Sequence, residues 1–334
     1  MIGKWLRSAA LSLTLAAGLG GAAQAEDLKE LNFGIISTES SQNLKTIWDP
    51  FLADMSKKLG MKVNAFFAPD YAGVIEAMRF DKVDVAWYGN KSAMEAVDRA
   101  GGQIFAQTVA ADGSPGYWSL LIAHKDNAKL NSVEDMIKYG KELTFSNGDP
   151  NSTSGYLVPG YYVFGLNKID PKSYFKRTVS GSHEANALAV ANKQVDFATG
   201  NTENMMRLEK TFPEKFKELK VIWKSPLIPA DPIVWRKNLS DGDKAKIKEF
   251  FMTYGVSGSD AAKEKEVLAG LQWAPFKDSN DNQLIPIRIL AQFKNRIAVE
   301  SDTTLSDADR QAKLAEIDAT LAELKEKEKA VATN

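Results

Sequence analysis

The sequence predicts an α/β protein built as two lobes around a shared cleft. Three observations predict it. Strand-like and helix-like segments alternate along the chain; one stretch occurs twice in similar form; and two Pro/Gly-rich crossovers fall between and after the two copies.

Residues 31–36 read as a buried strand, and 43–59 carry Leu44, Trp48, Phe51, Leu52 and Met55 at helical spacing. Residues 63–68 read as a second strand, 72–80 as a helix and 83–87 as a third strand. Residues 119–123, 143–145, 176–179, 195–198 and 221–224 read as further strands. Such alternation implies parallel strands joined by crossover helices.

The repeated stretch is "YAGVIEAMRFDKVDVAWYGN" (71–90) and "HEANALAVANKQVDFATGN" (183–201). Each copy opens on a ring with a hydrogen-bonding group, Tyr71 or His183. Each then runs through a short helical stretch and Val-Asp-x-Ala to a closing Gly-Asn. Two readings stand. Any α/β unit contains a helix followed by such a strand, or else two equivalent lobes each offer a helix start and a strand end to one cleft. Ligands of open α/β sheets sit outside the carboxyl ends of strands. The crossovers "DGSPGYW" (112–118) and "SPLIPADP" (225–232) interrupt regular structure and read as hinges. This divides the chain into a first lobe of residues 26–113 and 232–304, a second lobe of 114–231 and a C-terminal helix, 305–334.

Residues 1–25 read as an export signal. Lys4 and Arg7 form a basic start, residues 9–19 an apolar core, and Ala23-Gln24-Ala25 a small-x-small cleavage site. Its removal leaves 40 basic against 43 acidic residues, a net charge of -3, which points to neither a nucleic-acid nor a membrane-surface partner. Cysteine is absent, which excludes disulfides, a thiol nucleophile and a lipid-modified N-terminus. The mature chain is therefore expected in the periplasm. In the C-terminal segment Ser306 and Asp309 form a capping-box start. Leu314, Ile317, Leu321 and Leu324 follow as a stripe that either packs on its own lobe or pairs two chains into a homodimer.

The chemistry concentrates in "GDPNSTSG" (148–155). Asp149-Pro150 favours a turn, and Ser152, Thr153 and Ser154 bring hydroxyls and backbone N–H groups to the start of a helix near Gly155. This is either a plain helix cap or a cup for a phosphate-like or carboxylate group. No Lys follows Gly155 as in a phosphate-binding loop, and Gly-x-Ser-x-Gly is absent. With His124 and His183 as its two histidines and no Cys, no metal or other cofactor is expected. Glu203, just beyond the second repeat, and Asp231, in the second crossover, add two acids. Cup and acids together suit a zwitterion, anionic at one end and cationic at the other.

"NFGIISTES", "FFAPDYAGVIEAMRF", "VDVAWYGN", "QTVAADGSPGYWS", "GNTEN" and "WKSPLIPADPIVWR" resemble the periplasmic phosphonate-binding proteins of bacterial ABC transporters, nearest to those preferring 2-aminoethylphosphonate. The resemblance spans the mature chain. It implies a type II periplasmic-binding-protein fold closing on its ligand, and partners in an inner-membrane ABC permease with a cytoplasmic ATPase. It further implies a phosphonate held by Ser152, Thr153, Ser154, Tyr71, Tyr117 and His183, without Arg or Lys in the cup, and an ammonium held by Glu203 and Asp231. The alternative is a receptor for phosphate, phosphite or another small oxyanion. An exported hydrolase is disfavoured because no credible general base accompanies the serines.

Overall fold

A computed structural model describes residues 27–332, so the expected export signal and its cleavage site lie outside the described residues. Two sheets organise the chain. In spatial order, the first contains Trp273–Asp278, Gly102–Ala110, Pro232–Arg236, Val85–Trp87, Glu30–Ile35 and Lys62–Phe67. The second contains Leu219–Lys224, Ser119–His124, Phe197–Asn201, Thr144–Asn147 and Arg177–Ser180. The crossovers meet in a short antiparallel ladder, Gly116–Tyr117 against Ile228–Pro229. This is the α/β architecture the sequence predicts.

The expected parallel pairing covers only part of each sheet. Glu30–Ile35 runs parallel to Lys62–Phe67 and Val85–Trp87, and Thr144–Asn147 runs parallel to its two neighbours. Ser119–His124 and Pro232–Arg236, however, are antiparallel to the strands on both sides. Each of these two strands follows directly on a crossover. It therefore starts at the joint between the sheets and runs away from it, opposite to its neighbours on both sides. Trp273–Asp278 is also antiparallel and lies at an edge, where Pro275 costs no ladder bond on its open side. That proline hid the strand from the sequence pattern.

Each sheet has its own apolar core. Residues 28–106 and 233–284 supply the first, where Phe51 meets Phe33, Trp48, Phe250, Phe251, Tyr254 and Phe276 at ring distances of 5.2–6.3 Å. In the second, Phe145 contacts Phe164, Phe175 and Phe197. The repeat has a structural counterpart. Asp84 accepts the Asn32 N–H at 2.8 Å and donates its own N–H to Asn32 O at 2.9 Å. Asp196 accepts the Thr144 N–H at 2.7 Å and likewise donates to Thr144 O at 3.0 Å. The Val-Asp pair thus locks the same strand register in both halves.

The helix Ile285–Ser301 departs from the first core: Ile287 and Leu290 pack with Tyr117, Leu157, Val158 and Ile228, across the joint. The last helix, Asp307–Ala332, begins at the expected box, with the Asp309 N–H on Ser306 Oγ at 3.1 Å. Its stripe turns inward within the chain: Leu321 and Leu324 are buried, and Arg296 Nε donates to Asp318 Oδ1 at 2.9 Å. Among the described residues no helix is long and apolar enough to cross a membrane.

Candidate functional site

The loop 148–155 is folded by contact between its two end glycines. Gly148 N donates to Gly155 O at 3.0 Å, and a Cβ on Gly148 would lie 2.6 Å from Gly155 Cα. Asp149 Oδ1 accepts the Asn151 N–H at 2.7 Å, tightening the turn. Ser152 Oγ then caps the following helix by accepting the Gly155 N–H at 2.9 Å. That helix opens with wide π-type turns at Thr153–Leu157 and Gly160–Gly165, a geometry frequent at functional sites. The cap reading is therefore realised by Ser152. Ser152 is needed to cap the helix, and Ser154 is left for other work.

A small, tightly closed polar cavity lies between the two sheets. Tyr71, Tyr117, Ser152, Ser154, His183, Glu203 and Asp231 line it, seven of the eight residues singled out in the sequence. The eighth, Thr153, is buried in the adjoining seam, where its Oγ1 accepts the Lys91 N–H of the opposite half at 2.8 Å. Tyr71 and His183 are the first residues of the equivalent helices Tyr71–Arg79 and His183–Ala191. Glu203 sits in the first turn of Thr202–Thr211. His124 lies elsewhere, accepting the Asp126 N–H at 3.1 Å on Nδ1 and facing Glu218 at 3.2 Å.

Sequence reasoning missed Thr38, Trp87, Asn201 and Arg207, which also line the cavity. Asn201 closes the second repeat and donates to Ser154 Oγ at 3.1 Å, so the repeat itself was a signal for it. Arg207 adds a cation to the cavity wall, outside the loop 148–155. It stands one helical turn beyond Glu203, a spacing shared by countless solvent-facing charges. Three lining residues hold buried polar atoms without a hydrogen-bond partner: Thr38 Oγ1, Trp87 Nε1 and His183 Nδ1. Such groups are costly in a finished interior, and these three line one cavity.

Burial governs the electrostatics. It pushes the Asp231 carboxyl well up, and the neighbouring Glu203 carboxylate pushes in the same direction. Glu203 is also raised by burial, against the pull of Arg207. Both tyrosine hydroxyls are raised by burial and stay neutral, and Tyr117 donates to Asp231 Oδ1 at 3.0 Å. His183 is pushed down from 6.5 to about 4, first by burial and then by Arg207. Its Nε2 lies 3.4 Å from both Ser152 Oγ and Ser154 Oγ.

A prediction follows from His183. A group with a depressed pKa contributes stability above its unfolded pKa and loses it as pH falls through the folded one. Between pH 6.5 and about 4 the protein should lose on the order of 3 kcal/mol through this residue. Thermal melts of wild type and His183→Asn across that range should converge as pH falls. Parallel curves would show that His183 titrates normally.

The halves are closed on each other. Tyr71 N donates to Asp149 Oδ2 at 3.2 Å, Asn43 Nδ2 to Glu184 Oε2 at 2.5 Å, and Glu184 N to Thr38 O at 3.2 Å. Arg207 Nε bonds Glu39, and Arg207 Nη1 donates to Gln272 Oε1 at 3.3 Å. Each of these pairs joins one half to the other.

Comparison with known proteins agrees with this architecture. The chain is 66% identical over 299 residues to the phosphonates-binding periplasmic protein of Escherichia coli (strain K12), covering 90% of this chain and 87% of that one. A phosphate-import protein of Mycolicibacterium smegmatis is 31% identical over 231 residues, covering 66% of this chain and 70% of that one. The crystal structure of a binding-protein component of an ABC phosphonate transporter from Pseudomonas aeruginosa superposes with a TM-score of 0.88. It is 64% identical, and the match covers 92% of this chain and all of that one. Residues 33–284 match the ABC-transporter, phosphonate, periplasmic substrate-binding family, and the chain belongs to that family.

Proposed function

We propose that this receptor prefers 2-aminoethylphosphonate among phosphonates. In this reading Ser152, Thr153, Ser154, Tyr71, Tyr117 and His183 hold the phosphonate, and Glu203 and Asp231 hold the ammonium. The observation that carries it is one small cavity that sets a cup of neutral hydroxyls and a neutral imidazole against two buried acids. Charge-assisted hydrogen bonds contribute about 1.5–3 kcal/mol each. Six of them total roughly 9–18 kcal/mol before the costs of closure and ordering, which brings micromolar to nanomolar binding, about 8–12 kcal/mol, within reach. Thr153 ties the cup to the opposite half through Lys91, so ligand capture and closure are linked. Parting of the halves about residues 112–118 and 225–232 then releases the ligand to the permease.

Catalysis is not part of this reading. Ser152 and Ser154 stand near His183, but no carboxylate orients the ring through Nδ1, which lacks a partner. A second reading, a phosphate receptor, draws support from the cation in the cavity wall and from the phosphate-import relative. Against it stand two buried acids to which a simple oxyanion brings no cationic partner.

Calorimetric titration distinguishes the two. Protein unfolded and refolded to strip carried-over ligand would be titrated with 2-aminoethylphosphonate, methylphosphonate, phosphate and ethanolamine. The expected order is tight binding of the first, weaker binding of the second and almost none of the others. Phosphate binding as tightly as 2-aminoethylphosphonate would overturn the assignment of Glu203 and Asp231.

A further inference from the structure

We infer that Arg207 sets the selectivity of the cleft between phosphonates with and without an amine, and that Glu39 restrains it from the opposite half. This rests on the reading of the site given above and adds a residue to it.

Arg207 projects from the helix Thr202–Thr211, one turn beyond Glu203, and its side chain is 11% exposed. It is the one cationic side chain lining the described cavity. Its two partners come from the other half: Glu39, 4% exposed, follows the strand Glu30–Ile35, and Gln272 precedes the strand Trp273–Asp278. The guanidinium is therefore placed only when the halves are together. In that arrangement its charge acts on Tyr71, His183, Glu203 and Asp231 at once. Glu39 lies beside it as a third acid and draws that charge away from the ligand.

The consequence differs between ligands. An aminophosphonate brings its own cation to Glu203 and Asp231. A phosphonate without an amine turns an apolar group toward those acids, and Arg207 alone offsets its net negative charge. Removing the cation must then penalise the amine-free ligand more. Arg207 and Glu39 also help to hold the halves together, but that contribution is common to both ligands. It cancels in the ratio of their affinities.

The test is a titration of wild type, Arg207→Gln, Arg207→Lys and Glu39→Gln with 2-aminoethylphosphonate and with methylphosphonate. Arg207→Gln should weaken methylphosphonate at least about tenfold more than 2-aminoethylphosphonate, the scale of one charge interaction across a protein site. Arg207→Lys should return the ratio to within about threefold of wild type, because it keeps the charge. Glu39→Gln should move the ratio the other way, toward methylphosphonate. Equal losses for both ligands in Arg207→Gln would reduce Arg207 to a strut of the closed form and overturn the inference. An unmoved ratio in Glu39→Gln would remove Glu39 from it. Should Arg207→Gln fail to fold, Arg207→Lys and Glu39→Gln still read the ratio in both directions. The wild-type titrations separate the two layers: no preference for the aminophosphonate there would refute the site reading itself, before any substitution is compared.

Discussion

Asp231→Asn is expected to lower 2-aminoethylphosphonate affinity by about 100-fold or more while changing methylphosphonate affinity by less than about threefold. Breaking one side of a buried charge pair costs roughly 3–5 kcal/mol, and each 1.4 kcal/mol is a factor of ten. The substitution is close to isosteric. The amide oxygen can still accept from the Tyr117 hydroxyl, now at 3.0 Å, and the backbone carbonyl of residue 231 keeps its bonds from Thr108 N at 2.9 Å and Thr108 Oγ1 at 3.1 Å. What disappears is the negative charge that the ammonium would meet. Burial and Glu203 both hold the Asp231 carboxyl well above its ordinary range, so in the free protein it favours the neutral form. An arriving ammonium reverses that preference. For methylphosphonate a neutral amide and a neutral acid are nearly equivalent. Equal losses for the two ligands would show that Asp231 supports the cup through Tyr117 and does not read the amine.

The second large effect is expected from Gly148→Val. Its Cβ would lie 2.6 Å from Gly155 Cα and equally near the Gly155 carbonyl oxygen, a clash between two stretches of backbone that no rotamer change can relieve. The loop must open. That breaks the Gly148 N to Gly155 O bond and moves Ser152 and Ser154 out of register with His183. A stability loss of about 2–4 kcal/mol is expected, near the upper range for overpacking, and a melting temperature lower by about 5–10 °C. Binding of every phosphonate should fall below detection. Gly270→Ala is the matched control, because a Cβ there meets nothing within 4 Å. It should bind and melt as wild type does. A Gly148→Val protein that retained tight binding would show that the cup does not depend on the closed loop.

Much of the fold was legible because its signals are local. The helix Ser41–Leu59 buries Leu44, Trp48, Phe51, Leu52 and Met55, the five residues whose spacing predicted it. The internal repeat was legible for the same reason, since helix start, Val-Asp and Gly-Asn all lie within twenty residues. Strand direction was not. Whether Ser119–His124 runs with or against its neighbours depends on which end of the sheet the chain enters, and that follows from the path of the crossover. Trp273–Asp278 was masked by Pro275, whose cost vanishes at a sheet edge that no local pattern announces.

The site divides in the same way. The sequence by itself determined the chemical kinds present: a run of small hydroxyls at a helix start, a ring at the head of each repeat, and acids at the end of the second repeat and in the second crossover. Those follow from residue type and short spacing. Only the tertiary structure decided which of them share a cavity, that Thr153 turns to Lys91 of the opposite half, and that Arg207 lines that cavity. The reason is physical. A charge one turn along a helix is solvent-facing or buried according to what packs against it. Arg207 meets Glu39 and Gln272, 168 and 65 residues away along the chain, only once two separately cored halves have closed.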